Sequence, residues 1–222
     1  MNHNDIVRQS FKKQAEKFVA YHMSKVEYTD YLIQKIAATG EEHALEVAAG
    51  TCICGRALAP YVKDITCLDM TEEMLAHGTR LAEESHIENI YFQSGNAEKL
   101  PYEPETFDLV ITRLSFHHFD NPEKPFEEMK RVLKKGGKMV VWDMEAAEEP
   151  LREIDDKIEN MRDPSHTRIL SREEFEEMFK KDFALQCEET TLVPVNLKSW
   201  MELTDTSEDV QEEITNLMKA EL

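Results

Sequence analysis

The stretch Ala44-Leu45-Glu46-Val47-Ala48-Ala49-Gly50-Thr51-Cys52-Ile53-Cys54-Gly55 constrains this chain more than any other. An apolar run ends in small residues and passes straight into Arg56-Ala57-Leu58-Ala59-Pro60, which has the composition of a helix. Strand, tight turn and helix in that order open a parallel α/β sheet. Short side chains at the turn let a ligand approach the backbone, and the N–H groups that begin the helix face it. The dinucleotide pattern G-x-G-x-x-G is absent; only Gly50 holds a glycine position of such a loop.

The same alternation continues downstream. Strand one is 44–48 and its helix 53–61; strand two is 65–69, after which Thr71 caps a helix from Glu72 to Ser85. Ile90-Tyr91-Phe92 is strand three and 107–112 strand four. Asn121 caps the next helix with Pro122 at its first position, and Lys135-Gly136-Gly137 turns into strand five, Lys138–Trp142. Short connections between alternating strands and helices predict a parallel sheet covered on both faces.

The flanks are more helical. Residues 4–37 carry two apolar stripes, Ile6, Phe11, Phe18 and Val19, then Val26, Tyr31, Leu32 and Ile36, with Ser24 as the break between them. After Asp143 come a charged helix over 148–162, a loop over 162–166, and a helix to Lys180 opened by the capping box Ser171/Glu174. Phe183–Glu188 and Thr190–Val195 read as two closing strands, a hairpin adding an antiparallel edge. Helices over 196–204 and 207–220 end the chain. No repeat or linker interrupts it, so a single domain is expected.

Composition narrows the partners. A net charge of −19 opposes a polyanion or an anionic membrane surface, because both need clustered Lys and Arg. No apolar run reaches membrane-spanning length, and Met1-Asn2-His3-Asn4-Asp5 has no signal-peptide pattern. Cys52, Cys54, Cys67 and Cys187 do not make a disulfide framework, so a reducing cytoplasm is expected. Cys52-x-Cys54 offers too few ligands for zinc; small buried thiols are the better reading, and no metal is expected.

Asp69 closes strand two. Then follow Gly95-Asn96-Ala97-Glu98-Lys99-Leu100-Pro101-Tyr102, Phe107-Asp108-Leu109-Val110-Ile111-Thr112-Arg113, Phe116-His117-His118-Phe119, and Arg131-Val132-Leu133-Lys134-Lys135-Gly136-Gly137-Lys138. That ordered series resembles the class I S-adenosylmethionine (SAM)-dependent methyltransferases, nearest to the ubiquinone/menaquinone C-methyltransferase-like branch, densely over about residues 44–143. The resemblance implies a Rossmann-like three-layer sandwich with a mostly parallel seven-stranded sheet, an antiparallel edge hairpin and an N-terminal helical lid. It divides the single domain into a lid over 1–40, a SAM-binding core over 41–145, and acceptor-side helices with the last two strands over 146–222. Phe18 and Tyr21 are the expected lid contacts.

Asp69, at the carboxyl end of strand two, suits both ribose hydroxyls of SAM, or else caps the next helix. Met70 packs an adenine face or belongs to the core. Asn96 and Ala97 stand where the family has Asp and a small residue. Asn keeps an acceptor oxygen for the adenine amino group without the charge, or simply makes a turn. Glu46 lies near the methionine ammonium or holds loop N–H groups. Ala48 and Cys52 replace usual glycines; a left-handed backbone at 52 would cost about 1–2 kcal/mol with a Cβ.

Arg113, His117 and His118 follow strand four, where a parallel sheet has its reactive end, and the family places the transferable methyl group near this segment. His117 is the candidate base and His118 the reserve, against a packing role for both. Arg113 clamps an anionic group or pairs with a carboxylate. Arg162 and His166 resemble a recurrent acceptor-lining feature of the branch. The leading expectation is methyl transfer from SAM to a small-molecule acceptor. A SAM-binding pseudoenzyme with an eroded glycine loop and an NAD-dependent oxidoreductase are the competing readings.

Overall fold

A computed structural model describes residues 2–23 and 26–220. Ser24, the expected break, lies outside them, and so do the side chains of Val19 and Val26 from the two stripes. Two helices come first, α1 (His3–Met23) and α2 (Val26–Ile36). Then follow β1 (His43–Val47), α3 (Ile53–Leu58), β2 (Asp64–Asp69), α4 (Glu72–Glu84), β3 (Ile90–Ser94), β4 (Phe107–Arg113), α5 (Glu123–Val132) and β5 (Leu133–Trp142). Helices α6 (Leu151–Arg162), α7 (Arg172–Phe179), α8 (Leu197–Leu203) and α9 (Glu208–Ala220) complete the described chain.

Contacts group the residues into two compact units. One comprises 15–115 and 121–142; the other comprises 1–14, 116–120 and 143–222. The first is the sheet unit. Its five strands are all parallel, in the order β3-β2-β1-β4-β5. Two apolar faces make this possible: Ala44, Leu45 and Val47 of β1, Ile65 and Leu68 of β2, and Val110 and Ile111 of β4 are almost wholly buried. Chain order reverses direction between β1 and β4, the place where open α/β sheets leave a crevice beyond their carboxyl ends. There Thr112 Oγ1 donates to the Val47 carbonyl (2.8 Å) and meets Ser115 Oγ at 2.5 Å, tying the end of β4 to β1.

The expected seven strands and edge hairpin are not what the structure has. Residues 184–196 form no strand, and Leu185, Leu192 and Val195 stand exposed, Leu192 by 93%. Alternating composition gives a strand its faces but not its partner; without ladder hydrogen bonds those apolar positions stay solvated. The start of β5 differs as well. Its ladder reaches back to Leu133 through a register shift opposite Phe107 and Leu109, with Gly136 at φ +78° absorbing the irregularity that reads as a turn in the sequence.

The second unit is helical. Ile158, Met201 and Ile214 form its small apolar core, with Trp200 and Leu217 packed against them. The capping box forms as the sequence predicts: Ser171 Oγ accepts from the Glu174 N–H, and the Glu174 carboxylate accepts from the Ser171 N–H at 2.8 Å.

Candidate functional site

The turn after β1 alternates its backbone. Ala48 (φ 52°), Gly50 (φ 54°) and Cys52 (φ 58°) are all left-handed, although only one is glycine. Such alternation curls the chain and turns successive N–H groups inward. The substitutions at 48 and 52 therefore change the composition of the loop and leave its left-handed backbone in place. A Cβ on Gly50 would come within 3.2 Å of Met74 Cε, with Phe18 Cε1 at 4.0 Å, so the space over this glycine is already bounded by α4 and α1. Phe18 thus stands beside the loop.

Asp69 anchors the loop. Its Oδ2 accepts from the Gly50 N–H (2.7 Å) and its Oδ1 from the Thr71 N–H (2.8 Å). Thr71 begins α4 without a side-chain cap bond, so Asp69 does some of the capping once expected of Thr71. Burial pushes this carboxyl up, against the pull of the Thr71, Gly50 and Met70 amides and the Thr71 hydroxyl. Met70 is half-buried beside it.

Glu46 is a structural carboxylate in this arrangement. Its Oε2 accepts from the Gly55 N–H near the start of α3 (2.7 Å) and from the Cys67 thiol (3.4 Å). Burial raises it to about 7, opposed by the Gly55 amide, the Cys67 thiol and the positive charge of Arg113 at the end of β4. Cys54 and Cys67 share this pocket and are driven up by burial, which makes them packing groups rather than nucleophiles. All four cysteines are free. Among the described residues no group of three His, Cys, Asp or Glu side chains could hold a metal ion. Asn96 spends its Oδ1 on the Glu98 N–H (2.8 Å), a local turn, while Ala97 beside it is buried.

The helical unit gathers the histidines. His117 Nδ1 lies 2.5 Å from Asp143 Oδ1, and the remaining acceptor sites of Asp143 take the N–H groups of Phe116 (2.7 Å) and Met144 (2.8 Å). Burial disfavours charge on both partners, but mutual attraction outweighs it: Asp143 is held below the ordinary carboxylate range and His117 above the ordinary histidine value. The ionised Asp143 fixes the proton on Nδ1 and leaves Nε2 as the exchanging nitrogen.

His118 differs. Its Nδ1–H donates to the Ser165 carbonyl at 3.1 Å, and burial with the neighbouring His117 charge drives it down to about 3, so it is neutral. Ser165 in turn donates to Asp163 (2.6 Å), which also accepts from Ser10 and Gln14. His166 Nε2 donates to Asp156 Oδ1 at 3.0 Å. Arg162 is occupied by Glu159 (2.7 Å) and stacks on Trp200, 4.5 Å from its ring centre.

The structure therefore joins Glu46, Ala48, Gly50, Asp69 and Arg113 in the sheet unit, and His117, His118, Arg162 and His166 in the helical one. Sequence reasoning missed Asp143, Asp156, Asp163 and Ser165. The rule that singled out Asp69, a carboxylate just where a parallel strand ends, also applies to Asp143. Nothing local marks the other three.

The methyltransferase-domain family matches residues 45–141. An uncharacterised methyltransferase of Bacillus subtilis, YcgJ, is 33% identical over 82% of this chain and 73% of its own. The crystal structure of YcgJ superposes with a TM-score of 0.80 at 31% identity, covering 85% of this chain and 82% of that one. The ubiquinone/menaquinone biosynthesis C-methyltransferase UbiE of Hydrogenovibrio crunogenus is 35% identical, but over 48% of this chain and 44% of its own.

Proposed function

Because this chain belongs to the methyltransferase-domain family, we propose that it transfers a methyl group from SAM to a small-molecule acceptor. The observation that carries the SAM reading is the pairing of a left-handed, small-residue turn with Asp69 at the end of the neighbouring strand. In this reading Asp69 takes the ribose hydroxyls, Met70 an adenine face, and Asn96 and Ala97 the adenine edge. Ala48 and Gly50 allow close approach of the methionine end, while Glu46 and Arg113 set its charge environment. SAM, when bound, supplies an electrophilic methyl group whose sulfonium leaves as a neutral thioether.

The chain's own part is to bind, orient and manage one proton. In its neutral form His117 takes the acceptor proton at Nε2, and Asp143 holds the ring and balances the imidazolium that results. His118, neutral and tied through Nδ1, is the weaker base of the two. The buried free thiols suit a reducing, cytoplasmic setting, and the charge of −19 suits an acceptor that is not nucleic acid.

Titration calorimetry with SAM and with its demethylated product tests the reading. Stoichiometric heat is expected from both, with affinity reduced at least tenfold in Asp69→Ala. Absence of heat from both, in a folded protein, would remove the proposal.

A further inference from the structure

Three of the four cysteines meet beside the β1 turn. Glu46 and Cys67 are partners in the register of β1 and β2, and the Cys67 thiol lies 3.4 Å from Glu46 Oε2. Gly55 leaves the space that this thiol fills, for a Cβ there would lie 2.3 Å from Cys67 Sγ. Cys52 precedes Gly55 by three residues, on the same side of α3, and its thiol is in hydrogen-bond contact with that of Cys67. Gly78 of α4 closes the other side: a Cβ on it would lie 2.9 Å from Cys52 Sγ, so the thiol has little room to swing away. Cys54 faces the Glu46 carboxylate instead.

Cys52 is a strained residue at its place. Its backbone is left-handed, φ 58°, a conformation that glycine visits freely and a Cβ resists. Its side chain caps no amide at the start of α3 and makes only a long contact, 3.6 Å, to the Gly50 carbonyl. What cysteine adds over glycine here is a sulfur held against a second sulfur.

We propose that Cys52 and Cys67 are a redox pair, joined by a peroxide into a disulfide that distorts the β1 turn and released again by two equivalents of a small thiol. The Cys52 thiolate attacks one oxygen of hydrogen peroxide, the O–O bond breaks, water leaves and Cys52 becomes a sulfenic acid. The Cys67 sulfur then attacks the Cys52 sulfur, the S–O bond breaks and a second water leaves. Two thiols and one peroxide give one disulfide and two waters, the peroxide taking both electrons. The Cys67 contact favours the Cys52 thiolate, although burial and the Glu46 and Asp69 charges outweigh it; burial drives Cys67 higher still, so Cys52 attacks and Cys67 resolves. Both thiols are fully buried, so the reaction waits on opening of the turn and answers to sustained oxidant.

A disulfide draws its sulfurs closer than a hydrogen bond does and pulls Cys52 toward β2. The Cys52 N–H donates to the Ala49 carbonyl at 2.7 Å, and the Gly50 N–H donates to Asp69, so the pull moves the groups assigned to SAM above. Only this consequence rests on the proposed methyl transfer; the disulfide does not.

The test uses the full chain carrying Cys187→Ser, which removes the exposed thiol. The protein is treated with hydrogen peroxide, its free thiols are alkylated, and its peptides are mapped by mass spectrometry. Peptides bearing Cys52 and Cys67 should be linked, and dithiothreitol should part them. Calorimetric affinity for the demethylated SAM product should fall at least tenfold on linkage and return on reduction. Cys52→Gly, at ease in a left-handed backbone, should bind that product equally before and after peroxide. A linkage through Cys54, over-oxidation without linkage, or thiols that stay free while the same chain in urea is oxidised would overturn the pair. Linkage with unchanged product affinity would overturn the switch, and so would peroxide sensitivity that persists in Cys52→Gly. In reduced protein that binds no product, methyl transfer fails and the switch with it, while the mapped disulfide stands.

Discussion

Ala48 shows how a residue can break a sequence rule while the backbone obeys it. A methyl group at φ 52° is strained by about 1–2 kcal/mol, whereas glycine visits that region freely. Ala48→Gly should therefore be neutral or stabilising by up to about 1 kcal/mol, where the same exchange inside a helix would cost about 1 kcal/mol. Urea denaturation decides it; a loss of 1 kcal/mol or more would mean the Cβ is doing packing that outweighs the strain. Gly55 behaves in the opposite sense. A Cβ there would lie 2.3 Å from Cys67 Sγ and 2.8 Å from Glu46 Oε2, so Gly55→Ala should destabilise by about 1–3 kcal/mol.

The His117–Asp143 pair makes a prediction with a sign. His117 lies above its ordinary value of 6.5, so its contribution is complete below that value and is lost as pH rises through the folded value. Asp143 lies below 3.8, so its contribution is present above that value and disappears as pH falls through the folded one. The pair is thus worth most between about pH 4 and 6.5. Asp143→Asn should cost about 3 kcal/mol at pH 5.5 and distinctly less at pH 9, by urea melts at both. The same variant should move the His117 titration, followed by NMR, to lower pH. At this scale the sequence pointed to Asp69 and His117 as candidates, because their positions after strands two and four carry a rule. It did not disclose Asp156 or Ser165, whose roles depend on which ring they happen to face.

Elements were legible where two signals coincided. Ser171 and Glu174 fall three apart before an apolar position, and the box they form follows from that spacing alone. Ser171→Ala should cost about 1 kcal/mol by thermal or urea unfolding, and Ser171→Gly only a few tenths. The parallel strands were also legible as runs of branched or apolar residues, except that β5 begins well before its apolar run. Residues 184–196 had one signal, alternation, and no second. Leu192 sits at the centre of the expected hairpin and is 93% exposed, because pairing partners are chosen in space and not by composition.

The molecule as a whole carries −19 charges on 222 residues, so its compact state works against its own repulsion. Raising salt from about 20 to 200 mM shortens the screening length by roughly threefold and should raise the melting temperature. A melting temperature that falls with added sodium chloride would show that specific ion pairs outweigh the net repulsion. The amino-acid sequence by itself determined the parallel α/β layout, the position of the β1 turn and the net charge of −19, because each depends on near neighbours or on sums. Only the tertiary structure decided that Ala48 and Cys52 adopt the glycine conformation, that Glu46 holds the α3 amide, and that three histidines share one carboxylate-lined cluster. Those outcomes turn on which groups are buried together, and burial is settled by distant parts of the chain arriving at the same place.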